Sequence, residues 1–174
     1  FSILSLYHSN GTLNTNGYTL SVYRYNGTGP SIINLSNSTT THFAGGWTAS
    51  NTVNAGTSTI TITGAGAWDS ILTGYNIVSF NASSGSNTFR VTTVLNASEF
   101  RVGNSIYNDG AGCKVYLSAN IICTTFNSVY KTSGAYNRAY LIGDTTSRKT
   151  LTATTISADN IDLTNMNFTN TVNN

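Results

Sequence analysis

The sequence is short of charge, of proline and of sulfur, and each shortage excludes something. Charged residues are 8% of the 174, with one glutamate, Glu99. Long helices draw on Ala, Leu, Glu, Lys and Gln, so helix chemistry is nearly absent. Eight scattered Lys and Arg stand against six acids, a net charge of +2. No basic run exists to track a phosphate backbone, which argues against nucleic acid as a partner. No apolar stretch reaches the ~18 residues of a membrane helix, so no membrane insertion is expected. Phe1-Ser2-Ile3-Leu4 lacks the charged flank and the length of a signal peptide. With Cys113 and Cys123 alone, disulfides cannot be the framework of the fold.

What is abundant is Asn, Thr and Ser, at 23, 29 and 21 residues. Threonine, with Val, Ile, Tyr and Phe, suits a pleated surface. A hydrophobic share of 39% and ten tyrosines argue for a folded chain over a disordered one. The reading is a single β-repeat domain over 1–174. Because it starts at Phe1 without an initiator Met and runs out at Asn173-Asn174, the expectation is a segment of a longer chain.

A repeat of fixed period changes the whole fold assignment. Leu13-Asn14, Ile33-Asn34 and Val53-Asn54 recur every twenty residues, as do Thr19, Thr39 and Thr59. Weaker echoes fall at Tyr75-Asn76 and Leu95-Asn96, and Ile121, Leu141 and Ile161 are again twenty apart. Around the anchors apolar and polar residues alternate, as in Thr59-Ile60-Thr61-Ile62-Thr63, the period-two signature of half-buried strands. Asn10-Gly11, Asn16-Gly17 and Asp109-Gly110 punctuate them with turn residues.

A twenty-residue unit cannot bury its own apolar face, but stacked units can. The expected fold is therefore all-β, a parallel β-helix (solenoid) of about eight twenty-residue rungs, on the order of 40 Å long at ~4.8 Å per rung. Asn14, Asn34 and Asn54 would form a structural ladder at one turn, each amide donating to its neighbour. An antiparallel β-sandwich or jelly roll closed by Asn-Gly hairpins is the alternative. The cysteines discriminate: ten residues apart, they lie on opposite sides of a twenty-residue coil, whereas a hairpin around Val115 to Ile122 would bring them within disulfide reach.

Candidate chemistry is sparse. A glycosidase or lyase needs two convergent carboxylates. The acids are Asp69, Glu99, Asp109, Asp144, Asp159 and Asp162. Asp144 with Asp162 and Glu99 with Asp69 are the pairs that two rungs would have to bring together, and surface or turn roles are the expectation for all six. His8 and His42 lie near no acid or cysteine at ligand spacing, so no metal site is expected. Asp109-Gly110-Ala111-Gly112-Cys113-Lys114 lacks the full phosphate-loop pattern and reads as a glycine turn. Seven Asn-x-Ser/Thr sequons are about what this composition yields by chance. No catalytic residue, cofactor or metal is expected, and the chain reads as no enzyme. Tyr18, Tyr23, Tyr25, Trp47 and Trp68 are the surface feature to watch, as stacking platforms for sugar rings, with Tyr23 and Tyr25 sharing a face by alternation.

Gly11 through Leu20, Val53 through Ile60, and Arg148 through Ser157 followed by Asn160-Ile161-Asp162 resemble modules of large β-repeat proteins of bacteriophages and bacteria, fibre-like virion components among them. The resemblance covers roughly half the chain. It implies a right-handed β-helix within a surface or fibre protein, with no catalytic residues to carry over. It lapses between about Phe100 and Lys131, where an irregular inserted loop or a second subdomain is expected.

The functional expectation is a non-enzymatic structural segment of a virion fibre, tail or similar appendage, a stiff spacer or support for a receptor-binding tip. A carbohydrate-binding adhesin module and a capsid decoration protein are the alternatives. Expected partners are further copies of the chain as a homotrimer, other virion or surface proteins, and host-cell glycans. The expected place is a virion surface or the extracellular space.

Overall fold

The computed structural model describes residues 2–38, 41–64, 66–70, 74–82, 88–104, 113–128, 139–158 and 161–170. Strands dominate them: β1 (Ser2–His8), β2 (Thr12–Asn14), β3 (Ser21–Gly27), β4 (Ile32–Asn34), β5 (Thr41–Ala49), β6 (Thr52–Asn54), β7 (Thr59–Ile62), β8 (Ala67–Ser70), β9 (Tyr75–Ala82), β10 (Thr88–Val91), β11 (Leu95–Asn104), β12 (Cys113–Leu117), β13 (Ile121–Asn127), β14 (Ala139–Gly143), β15 (Lys149–Ser157), β16 (Ile161–Thr164) and β17 (Met166–Asn170). No helix occurs among the described residues.

Every pairing between these strands is parallel, and each joins a strand to one a coil later. That is a β-solenoid, and it leaves no place for the antiparallel sandwich, whose strands would pair with chain neighbours through hairpins. The large sheet runs β1-β3-β5 and then divides, one arm continuing β7-β9-β11-β13-β15-β17 and the other β8-β10-β12-β14-β16. A short sheet, β2-β4-β6, closes another side of the first coils.

The coils are not eight equal rungs of twenty. The described residues together amount to about six turns of chain, and the step between turns varies. It is twenty where Leu13 pairs with Ile33 and Ile33 with Val53. It shortens to 17 where Lys149 meets Met166 and lengthens to 30 where Ile121 meets Leu151. Consequently Leu95 stacks on Ile121, not on Tyr75, and Ile121, Leu141 and Ile161 do not stack on one another. Leu141 instead lies between Val115 and Leu163, and Ile161 beside Ala139. Those twenties were coincidences of composition. The stretch 100–131 contributes β12 and β13 to the stack in steps of 26, Thr88 to Lys114 and Leu95 to Ile121; residues 105–112 and 129–131 lie outside the described residues, as does Thr39.

Corners explain where simple alternation fails. In β11 the outward residues Ser98 and Glu99 are consecutive, in β13 Thr124 and Thr125, in β15 Thr154 and Thr155. Register aligns Glu99 with Thr125, and Thr125 with Thr155, so the bends stack. β3 bends the same way at Tyr23-Arg24. There its neighbour β5 carries an irregularity, Val22 pairing with Phe43 but Arg24 with Gly46. Gly46 has φ +131, and a Cβ on it would lie 2.9 Å from the Ala67 carbonyl oxygen, so this bend requires glycine.

Inside, side chains one rung apart stack in columns. One column runs Leu6, Tyr25, Trp47, Trp68, Val91, Leu117. Another runs Ile60, Val78, Phe100, Phe126, Ile156. The inner members are fully buried, and exposure returns at Ile156, Leu163 and Phe168, which no further rung covers among the described residues.

Candidate functional surface

The aromatic residues expected at the surface divide sharply. Tyr23, at the β3 corner, is 49% exposed, and Tyr18 is 78% exposed. Tyr25, Trp47 and Trp68 are fully buried, which corrects their assignment as glycan contacts. The corner reverses the inward phase between Tyr23 and Tyr25, so the two do not share a face.

The buried three form one aromatic stack. Tyr25 and Trp47 lie face to face with ring centroids 4.4 Å apart, and Trp47 and Trp68 follow at 6.2 Å. Tyr75 packs edge-on against both indoles. Two of the three have their polar atoms paired internally: Asn51 Nδ2 donates to the Tyr25 hydroxyl at 3.0 Å, and Trp47 Nε1 donates to the Tyr75 hydroxyl at 3.3 Å. The Tyr75 hydroxyl also lies 2.7 Å from Ser70 Oγ. Burial pushes the Tyr25 phenol up to about 12, against the Asn51 bond, and raises that of Tyr75. Trp68 Nε1 is buried without a hydrogen-bond partner.

At the β2-β4-β6 turn, Asn34 Nδ2 donates to Asn14 Oδ1, and Asn54 Nδ2 donates to Asn34 Oδ1 at 2.6 Å. The residues two positions later, Asn16, Ser36 and Gly56, all have positive φ, at 52°, 51° and 56°. Side-chain ladder and backbone turn therefore repeat together. Beside this turn, at the first coil, a concavity of about 200 Å³ is lined by Leu6, Leu13, Thr15, Tyr18 and Leu20.

The described acids do not converge. Asp162 pairs with Tyr140, four residues before Asp144 on the adjoining strand, roughly 13 Å away at ~3.3 Å per residue. Asp144 is held in a turn, accepting from the Thr146 amide and hydroxyl, both at 3.0 Å. Glu99 and Asp69 are on different arms of the sheet. Glu99 is occupied by Arg101, whose Nε and second guanidinium nitrogen donate at 2.7 and 2.8 Å, and by Asn127 Nδ2 at 3.1 Å. The Arg101 bonds hold the Glu99 carboxyl below its ordinary value. Asp109 and Asp159 lie outside the described residues.

Cys113 and Cys123 sit on different arms, in β12 and β13, as buried thiols not joined to each other. Burial pushes the Cys123 thiol up to about 11, which suppresses the reactive thiolate.

One outward surface combines aromatic and charged groups, and the single-sequence reading missed it. Strand β12 alternates cleanly, with Cys113, Val115 and Leu117 inward and Lys114 and Tyr116 outward. Register sets Thr88, Lys114, Tyr140 and Asp162 in one outer column and Arg90, Tyr116, Ile142 and Thr164 in the next. Tyr116 is 41% exposed, and Lys114 Nζ lies 6.0 Å from the centre of the Tyr140 ring. Steps of 22 to 26 residues, not twenty, bring these groups together.

No protein-family model, curated protein or solved structure matches the chain.

Proposed function

We propose that this chain is a non-enzymatic structural segment of an extended surface appendage, of the virion-fibre or tail kind, serving as a stiff spacer. The observation that carries the reading is the continuity of the interior: the column from Leu6 through Tyr25, Trp47 and Trp68 to Leu117 crosses from coil to coil as an unbroken run of aliphatic and aromatic side chains. Parallel ladders along the same axis couple each rung to the next, so bending the rod means breaking several backbone bonds at once. Such a mechanism needs no cofactor and no convergent acids.

Extracellular placement, association as a homotrimer and attachment to other surface proteins belong to this reading. The test is immunoelectron microscopy of the source particle or cell with antibodies raised against the folded segment, together with sedimentation equilibrium of the purified chain. Labels along an extended fibre and a three-copy mass support it. Labels across a compact shell overturn the spacer role in favour of a decorating one.

A further inference from the structure

We propose that the outer surface of β10, β12 and β14 binds an acidic polysaccharide, with the exposed Tyr116 against a pyranose ring and Arg90 and Lys114 on its anionic groups. A tyrosine presents an apolar ring and a polar edge, which matches the two aspects of a sugar ring. Adjacent rungs repeat at ~4.8 Å and alternate outward residues at nearly 7 Å, so the four side chains form a staggered array over three rungs, roughly 10 Å along the stack and 7 Å across. Arg90 and Tyr116 are rung neighbours in one column, as are Lys114 and Tyr140 in the other. Each cation thus stands beside an aromatic ring.

Charge complementarity selects an acidic ligand. Among the described residues the one ion pair is Glu99 with Arg101, on the other arm of the sheet, so Arg90 and Lys114 are not neutralised in that way. Among the described residues the nearby carboxylates are Asp162, two rungs along the Lys114 column, Asp69, beyond Ala67, the residue that pairs with Arg90, and Asp144, two residues past Ile142, the rung neighbour of Tyr116. At two rungs, with Tyr140 between them, Asp162 stands roughly 10 Å from Lys114, beyond ion-pair distance. Arginine offers a planar fork to a carboxylate or sulfate, and lysine a compact point charge. Nucleic acid fits less well, because two cations on this surface cannot follow a run of phosphates.

The experiment is affinity electrophoresis of the purified chain through gels containing polygalacturonate, dextran sulfate, neutral dextran or polyphosphate. It is repeated with Tyr116→Ala, Arg90→Gln and Lys114→Gln, each checked for an unchanged far-ultraviolet spectrum. All three replaced side chains point outward and are exposed, so folding is retained. The expected result is retardation by polygalacturonate or dextran sulfate and none by neutral dextran. Tyr116→Ala should weaken it about threefold to tenfold, and each cation variant by a similar factor. Whichever acidic polymer binds identifies the anion as carboxylate or sulfate. Retardation equal to that by polyphosphate and unchanged in Tyr116→Ala would mean charge attraction alone and overturn the proposal, as would no retardation by either acidic polymer.

Discussion

The side-chain amide of Asn54 donates to the side-chain oxygen Oδ1 of Asn34 at 2.6 Å, and Asn34 stands in the same relation to Asn14. Asn34 therefore makes two ladder bonds where Asn14 makes one. At about 0.5–1 kcal/mol per exposed bond, Asn34→Ala should cost about 1–2 kcal/mol and Asn14→Ala about half that. Urea unfolding followed by tryptophan fluorescence measures both, and equal losses would show that the ladder is ornamental.

The turn beneath the ladder carries a second prediction. Ser36 holds φ 51° and Gly56 φ 56° at equivalent places. Left-handed backbone disfavours any residue with a Cβ by about 1–2 kcal/mol. Ser36→Gly should raise the melting temperature, and Gly56→Ala should lower it, the more so because the new Cβ would press on the Ser36 carbonyl. Thermal unfolding by circular dichroism reads the two shifts, which should have opposite signs.

The two indoles differ at the ring nitrogen. Trp47 Nε1 donates to Tyr75, while Trp68 Nε1 is buried and unsatisfied. Replacing either by Phe removes similar volume, but Trp47→Phe also strands the Tyr75 hydroxyl contact. Trp68→Phe should therefore be the milder change by about 1 kcal/mol. A larger loss for Trp68→Phe in denaturant titration would contradict this.

Below neutrality, Glu99 governs part of the stability. Its folded-state carboxyl is held down by Arg101, so its contribution is present above the ordinary value of 4.5 and is lost as pH falls through the lower folded value. Arg101 is 44% exposed on its side chain, which limits the term to less than about 1 kcal/mol. Glu99→Gln should be less stable than the parent near neutral pH, and the gap should close in acid.

At high pH the aromatic stack becomes the weak point. Unfolded tyrosine ionises from 10.0, whereas Tyr25 is pushed up to about 12. The Tyr25 contribution is complete below pH 10 and declines as pH rises toward 12, because only the unfolded chain gains the phenolate. Tyr25→Phe should flatten that decline, as followed by unfolding midpoints across the alkaline range, at a neutral-pH cost of about 1 kcal/mol for the lost Asn51 bond.

Sequence alone carried the all-β composition, the stacking of short strands and the twenty-residue anchors Leu13, Ile33 and Val53, because repetition at a turn leaves a mark in primary order. Asn14, Asn34 and Asn54 could be picked out for the same reason: their turn keeps a constant length, so spacing in sequence equals adjacency in space. Elsewhere only the tertiary structure decided. Coils of 17 to 30 residues place Leu95 beside Ile121 and Ile121 beside Leu151, pairings that no fixed period reveals. Corners with two outward residues in succession turn Tyr25 inward while Tyr23 stays outside, which period-two reasoning along one strand cannot anticipate. The grid of Arg90, Lys114, Tyr116 and Tyr140 was invisible for the same physical reason, since its neighbours are set by backbone register between coils of unequal length.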